Sequence, residues 1–345
     1  MAPRIQTIGL DIGKEVFQAH GIDRNEMVVL RRKLRRAEVT AFFAGLRPCL
    51  VGMEATAGSH HWARTLAAMG HKVRVIPAAY VKAYVKTNKS DAKDAEAICE
   101  AVRRPGMRFA AVKTKEQQAT LIVHRTRELL VRQRIVLTNA LRGFLAEFGI
   151  VAPRGYSGTN KSLEAVRGAE IPSSARPALQ LLKQAVELLR KQSEACEDQI
   201  GRHHTDDADS VRLATIPHVG PITASAVIAT IGNAGQFCSA RQFAAWLGLV
   251  PREFSTGGKQ KLGHISKRGN PYLRRLLFLA ASSALRDPKF AKTSAGAWAL
   301  SLRARKPYRL TVIALAARLA RTMWAMLMRR RNFEPYPERL AHTGG

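Results

Sequence analysis

Residues 4–14 read RIQTIGLDIGK, and the way this stretch is read decides the fold. The apolar run at residues 5–10 predicts a buried strand. Asp11 stands at its end, with Gly13 and Lys14 close behind. A carboxylate there projects from a sheet edge where the backbone turns away and leaves room for a ligand. Working outward, residues 16–22 and 27–32 predict two more strands of a meander, and residues 37–46 a helix. Residues 50–53 predict a short apolar strand, 59–69 a helix, 73–76 a strand and 78–85 a helix. Three strands followed by alternating helix and strand predict a mixed, helix-covered α/β sheet.

Glu54 ends the next core strand in the same way, in LVGMEATAG at residues 50–58. An apolar strand has no packing use for an acid at its terminus, although strand ends commonly carry solvated charge. The third feature is KTNKSDAKDAEAICEAVRR at residues 86–104. Asp91 and Asp94 lie three apart at the start of a helix and project from one face. Capping and dipole interactions at a helix N-terminus account for one of these acids well and for two adequately. They leave Asp11 and Glu54 unexplained. Brought together, four carboxylates make a hard-oxygen site suited to Mg²⁺, or to two Mg²⁺ about 4 Å apart for in-line phosphoryl transfer.

Past Val112 the pattern turns almost wholly helical, which sets domains at 1–112, 113–210 and 211–345. Residues 116–148 predict one long helix with Leu130, Leu137, Leu141, Phe144 and Phe148 at heptad spacing. VAPRGYSGTN at residues 151–160 interrupts it. A second long helix from Ser174 carries Leu179, Leu182, Val186 and Leu189. The pair forms either an antiparallel hairpin within one chain or a coiled-coil seam between chains. IPHVGPITASAVIATIG at residues 216–232 looks like a helix-hairpin-helix element whose turn amides can sit on a phosphate, with His218 where the usual pattern has glycine.

Composition points to the partner. The 345 residues hold 56 Lys and Arg against 26 Asp and Glu, a formal net charge of +30. A polyanion is expected. With 46% hydrophobic residues the charge belongs to a folded protein and not to a basic tail. Cys49, Cys99, Cys196 and Cys238 have neither zinc-motif pairing nor disulfide-scaffold density, and read as reduced thiols. The start lacks a secretory apolar run, and about 18 consecutive apolar residues occur nowhere, so the expected location is cytoplasmic. Lys259, Lys261, Lys267, Arg268, Arg274 and Arg275 fall within 17 residues among glycines, as a grip on a phosphate backbone would. Residues 301–340 hold ten Lys/Arg and two acids, interleaved with Tyr308, Trp324, Phe333 and Tyr336. The apolar face of this basic helix suits a domain core or nucleic acid better than lipid. His203 and His204 with Asp206 and Asp207 read as a solvated linker.

GLDIGK, MEAT and SDAKDAEAI, a helical middle, and then GLVPREFSTGGKQKLGHISKRGNPYLRR at residues 248–275 together resemble the DEDD-type insertion-sequence transposases of the one-ten and eleven-eleven groups. The motifs are short, but their order is specific and spans essentially the whole chain. EATAGSHHWAR, with His60, His61 and Trp62, looks closer to the eleven-eleven branch. The resemblance implies a ribonuclease-H-like N-terminal domain, as in Holliday-junction resolvases, in which Asp11, Glu54, Asp91 and Asp94 hold the metal. It implies a C-terminal transposase domain with Ser255 as the nucleophile, and a noncoding RNA that guides recombination of donor and target DNA. A homo-oligomer, dimer to tetramer, at the bacterial nucleoid is expected with it.

Ser255 taken alone reads as a turn serine. A hydroxyl in a Ser-Thr-Gly-Gly loop nevertheless sits on backbone that can approach a scissile phosphate closely, and a phosphoserine link would conserve the cleaved bond. Thr256 is the neighbouring alternative, and His60 and His61 lie near enough to Glu54 in sequence to reach the same phosphate. Two competing readings are a non-enzymatic nucleic-acid-binding protein with a resolvase-like fold, and a sugar-kinase or actin-like ATPase, which also opens on a strand and an Asp-x-Gly turn. The ATPase fold needs a second glycine-rich phosphate loop, and the helical second half does not supply one.

Overall fold

The computed structural model describes residues 4–85, 90–151, 171–259 and 261–334. Residues 152–160 of the expected interruption, and Tyr336, lie outside the described residues. The chain forms two compact units, Met1–Lys115 and Glu116–Gly345, so the long middle helices group with the C-terminal helices.

The first unit is a five-stranded sheet: β1 Thr7–Ile12, β2 Val16–Ile22, β3 Val28–Arg35, β4 Leu50–Glu54 and β5 Lys72–Ile76. The order is β3-β2-β1-β4-β5. The two hairpin pairs are antiparallel and the β1–β4 and β4–β5 pairs parallel. Two positions differ from the sequence reading. β1 starts at Thr7 and runs on through Asp11, which pairs with Gln18 in the β2 ladder. Asp11 is therefore inside a strand and not beyond one, because β2 offers it a backbone partner whatever its polarity. β3 likewise continues to Arg35, since an edge strand tolerates the polar run RRKLR.

Alternation then assigns the faces. Ile8, Leu10, Phe17, Leu34, Val51 and Met53 point to one side, where α1 (Val39–Ala44) and α2 (Ser59–Ala68) add Phe43, Trp62 and Leu66. The segment expected as one helix at 78–85 is a short α3 (Ala78–Val81) followed by a 3₁₀ turn at Lys82–Tyr84. The opposite face is covered by α4, Asp91–Val102. Glycine makes this possible at two points. A Cβ on Gly9 would lie 2.1 Å from the Ala95 carbonyl oxygen, and one on Gly52 would lie 2.7 Å from the Val102 Cβ.

The second unit opens with α5 (Lys115–Ala146) and α6 (Arg176–Thr205). Leu141 and Leu145 are fully buried against Ile171 and Leu179, so these helices pack on each other within the chain at this end. Phe144 and Phe148 of the expected heptad are exposed; Ile122, Leu129 and Val136, spaced seven apart, are exposed too. His203 and His204 lie inside α6 and not in a linker, and His204 Nδ1 is 2.8 Å from Ser210 Oγ. Next come α7 (Ala208–Ala214), α8 (Pro221–Ile231), α9 (Ala240–Trp246), α10 (Pro271–Ala284), α11 (Pro288–Ala291), α12 (Ser294–Arg303) and α13 (Tyr308–Arg329). They share one core built on Val227, Phe243, Leu273, Leu277, Leu315 and Met323. By length and composition α13 is apolar enough to cross a membrane, yet Val312, Leu315, Ala316, Ala320 and Met323 are fully buried in that core.

This half is not wholly helical. β6 (Pro251–Glu253) and β7 (Leu262–Ile265) form an antiparallel hairpin where the sequence reading placed only a loop. Cys49 and Cys99 are buried, which pushes both thiols up to about 11, while Cys196 is half-buried and Cys238 exposed; all four are free.

Candidate active site

The parallel register pairs Leu10 with Met53, which sets Asp11 and Glu54 side by side at the C-terminal ends of β1 and β4. By alternation Asp11 shares the face of Gly9, and Glu54 that of Gly52. That is the face α4 covers. Because α4 lies so close on the two glycines, its first turn, with Asp91 and Asp94, reaches the same end of the sheet. The positive end of the helix favours both acids there. All four side chains keep some solvent access, with Asp91 the most exposed.

The proximity has an electrostatic signature. Burial raises the Asp11 carboxyl to about 6, and repulsion from Asp94, Asp91 and Glu54 adds to the rise. Among the described residues none of the four acids is in an ion pair. Nor do any three His, Cys, Asp or Glu side chains among the described residues stand close enough to hold one metal ion. The four carboxylates share a field without converging on a point. As a donor set they are hard oxygens carrying uncompensated negative charge, which is the chemistry a divalent cation takes.

Ser255 stands between the strands of the β6–β7 hairpin. Its hydroxyl donates to Glu253 Oε1 at 2.6 Å, a short, charge-assisted bond. The tip turns at Gly257 and Gly258, with φ of 56° and 77°, and the Lys259 amide donates to the Thr256 carbonyl. Positive φ at both central residues is the mirror-image turn that suits a two-stranded ribbon. The tip is open, but the base is held. A Cβ on Gly269 would meet the Trp246 carbonyl oxygen at 1.9 Å, and Arg274 donates to the carbonyls of Leu247 and Gly269.

Two sequence families meet this architecture. One, described as a transposase of the DEDD type of IS110, matches residues 8–150. The other, the transposase IS116/IS110/IS902 family, matches residues 210–295. A probable family 20 transposase of Pseudomonas aeruginosa is 48% identical over 335 residues, covering 96% of this chain and 99% of that protein. This chain belongs to the IS116/IS110/IS902 transposase family. The transposase for insertion sequence element IS1328 of Yersinia enterocolitica is 39% identical over 94% of this chain and 97% of its own length. The transposase for IS1111A of Coxiella burnetii is 37% identical, over 95% and 91%. The protein is thus a transposase, an enzyme that acts on DNA, and a domain of the DEDD type uses a divalent metal.

The transposase's basic residues divide in two. Lys259, Lys261, Lys267 and Arg268 are exposed on and beside the hairpin. Arg274 is instead turned onto backbone carbonyls, and Arg275 lies 3.2 Å from Glu128 Oε1 and over the Tyr272 ring. Arg274 is half-buried, whereas Arg275 keeps an exposed side chain beside these contacts. His218 has a left-handed φ of 65°, the conformation glycine takes most readily, and its ring is tied to Ser283 Oγ at 3.2 Å and Asp287 Oδ2 at 3.0 Å. His60 Nδ1 accepts from the Lys113 amide at 3.2 Å, and His61 packs edge-on to Trp62.

Glu253 is the residue the sequence reading missed. The available signal was spacing: residues two apart on an extended segment face the same way, so Glu253 and Ser255 were already neighbours.

Proposed function

We propose that this transposase cuts and rejoins DNA through a phosphoserine at Ser255, with Asp11, Glu54, Asp91 and Asp94 as its Mg²⁺ ligands. The observation that carries the reading is the Asp11 carboxyl, held near 6 by burial and by three other acids. Burial and three neighbouring acids oppose a charge on Asp11, and a cation bound among them would offset both. Asp11, Glu54, Asp91 and Asp94 would hold the cation, and a divalent ion there would supply positive charge to offset that of a scissile phosphate. The N-terminal unit, with its β3-β2-β1-β4-β5 sheet, takes the ribonuclease-H-like, resolvase-like role, and the α7–α8 turn that of a helix-hairpin-helix.

Ser255 contributes a hydroxyl on an open turn that a DNA backbone can approach, and Lys259, Lys261, Lys267 and Arg268 supply positive charge for its phosphates. A net charge of +30 suits a protein that holds a guide RNA as well as donor and target duplexes. Exposed Ile122, Leu129 and Val136 on α5 favour a coiled-coil seam with a second copy.

The test is covalent capture. The full chain, with the RNA that copurifies with it, is incubated with labelled DNA and Mg²⁺ and run under denaturing conditions. Ser255→Ala and Asp11→Asn are each expected to lower the adduct at least ~10³-fold, with DNA affinity kept within a few-fold. An adduct that survives in Ser255→Ala and disappears in Thr256→Ala moves the nucleophile by one residue. Sequencing the copurified RNA tests the guide: a discrete species supports it, and a random cellular pool refutes it.

A further inference from the structure

We infer that Glu253 is the general base that takes the proton from Ser255 during strand cleavage and the acid that returns it during rejoining. The inference rests on the reading of Ser255 as the nucleophile. It starts from the 2.6 Å donation of that hydroxyl to Glu253 Oε1. An alcohol is a poor nucleophile until its proton has somewhere to go, and an adjacent base is the ordinary remedy. Hydrogen-bond reach, about 2.6–3.2 Å between heavy atoms, is the first requirement for such a base, and this contact meets it.

The hairpin fixes the pair. Glu253 is the last residue of β6, paired with Leu262 of β7, and the Phe254 amide donates to the Lys261 carbonyl just beyond it. A Cβ on Gly263 would lie 2.8 Å from the Phe254 ring, so glycine there lets that ring come close to the opposite strand. Phe254 stands between the two residues, whose side chains meet in the Ser255–Glu253 hydrogen bond. The hairpin backbone sets the two residues beside each other, and the 2.6 Å bond turns the exposed carboxylate to the hydroxyl.

The step balances without a further reagent. Ser255 Oγ bonds to the phosphorus, the bond from phosphorus to the departing deoxyribose oxygen breaks, and the serine proton passes to Glu253. The departing oxygen takes up a proton from solvent. On rejoining, a deoxyribose hydroxyl loses its proton to solvent as its oxygen attacks the phosphoserine. The phosphorus–Oγ bond then breaks, and Glu253 gives its proton back to Oγ. One carboxyl serves both directions and is reset at the end.

The experiment measures single-turnover adduct formation by the full chain, with its copurified RNA, from pH 6 to 10, for wild type, E253Q, E253D and S255A, alongside DNA affinity. E253Q is expected to slow the adduct by about 10²–10⁴-fold at pH 7 and to bind DNA within twofold of wild type. Its deficit should shrink about tenfold per pH unit as hydroxide replaces the missing base, and E253D should recover part of the rate. An E253Q rate within threefold of wild type at every pH, with S255A inactive, overturns the base and leaves the serine standing. An E253Q deficit that is constant with pH, or matched by lost DNA binding, assigns Glu253 to structure and also overturns it. Adduct formed by S255A overturns the serine reading itself.

Discussion

Asp11 is half-buried in a five-stranded sheet, with a helix pressed against the strand that carries it, whereas Ser255 stands exposed beside the tip of a two-stranded hairpin. The first group is placed by long-range packing: β1, β4 and α4 must all assemble before four acids share one end of the sheet. The second is placed locally, by a turn and a neighbour two residues away. Burial first, and repulsion from the other acids second, oppose the charge on Asp11, while the serine carries a satisfied hydrogen bond. The difference teaches where each can be broken. Changes at the acid site propagate through the fold, and changes at the hairpin stay near the chemistry.

The sharpest way to break the contrast is Gly9→Ala. The new methyl would meet the Ala95 carbonyl oxygen at 2.1 Å and the Cys99 amide nitrogen at 2.4 Å, both rigid helix backbone. Forcing α4 off the sheet is expected to cost about 3 kcal/mol and to separate Asp91 and Asp94 from Asp11. Thermal unfolding should show the loss of stability, and hydrogen exchange should localise it to α4. Adduct formation should fall with it. Gly258→Ala is the control at the hairpin, where a Cβ meets nothing within 4 Å. It should cost only about 1 kcal/mol, for its positive φ. Equal losses in the two variants would erase the distinction drawn between the regions.

Much of this was legible in the sequence, for a physical reason. Apolar runs such as TIGLDI and LVGME announce buried strands, and residues 16–22 form β2 with the expected ends. Asp11 and Glu54 were legible because each breaks the pattern of an apolar strand, whereas Asp91 and Asp94 suit the helix N-terminus they occupy and were legible only by their spacing. The β6–β7 hairpin was not legible: three-residue and four-residue strands are too short for alternation to stand out, and the Gly-Gly turn reads as loop. The use of Arg274 on backbone carbonyls was equally hidden, since a guanidinium pointing inward and one pointing outward are the same letter. Asp11 lies inside its strand and not past it, because the β2 ladder, rather than side-chain polarity, decides where β1 ends.

A smaller effect comes from Asp11→Asn in the metal-free protein. The folded-state carboxyl titrates near 6, against an ordinary value of 3.8 for an aspartate. The folded chain therefore holds a proton that the unfolded chain has released between about pH 4 and 6, and stability contributed by the protonated form is lost as pH rises through that window. Asp11→Asn removes this loss. At pH 8 without divalent cation it should be more stable than wild type by on the order of 1 kcal/mol, after discount for partial exposure. Added Mg²⁺ should raise the melting temperature of wild type and Ser255→Ala alike, should do so less below pH 6, and should leave Asp11→Asn nearly unmoved. A matching Mg²⁺ response in Asp11→Asn would detach the metal from this cluster.

The smallest expected effect on the fold separates the hairpin's outward cations from its inward one. Lys259 and Lys261 are exposed, so Lys259→Gln with Lys261→Gln should leave melting unchanged. DNA affinity should nevertheless become less salt-dependent, with the slope of log K against log salt reduced by about 2, since each phosphate contact contributes about 0.9. Arg274→Gln should do the reverse. Its guanidinium donates to the Leu247 and Gly269 carbonyls, and leaving those acceptors without partners should cost about 1–3 kcal/mol of stability, with the salt slope unchanged. If Arg274→Gln flattened the slope and the lysine pair did not, the phosphate contact would belong to the base of the hairpin. The open tip around Ser255 would then have to find its DNA by some other charge.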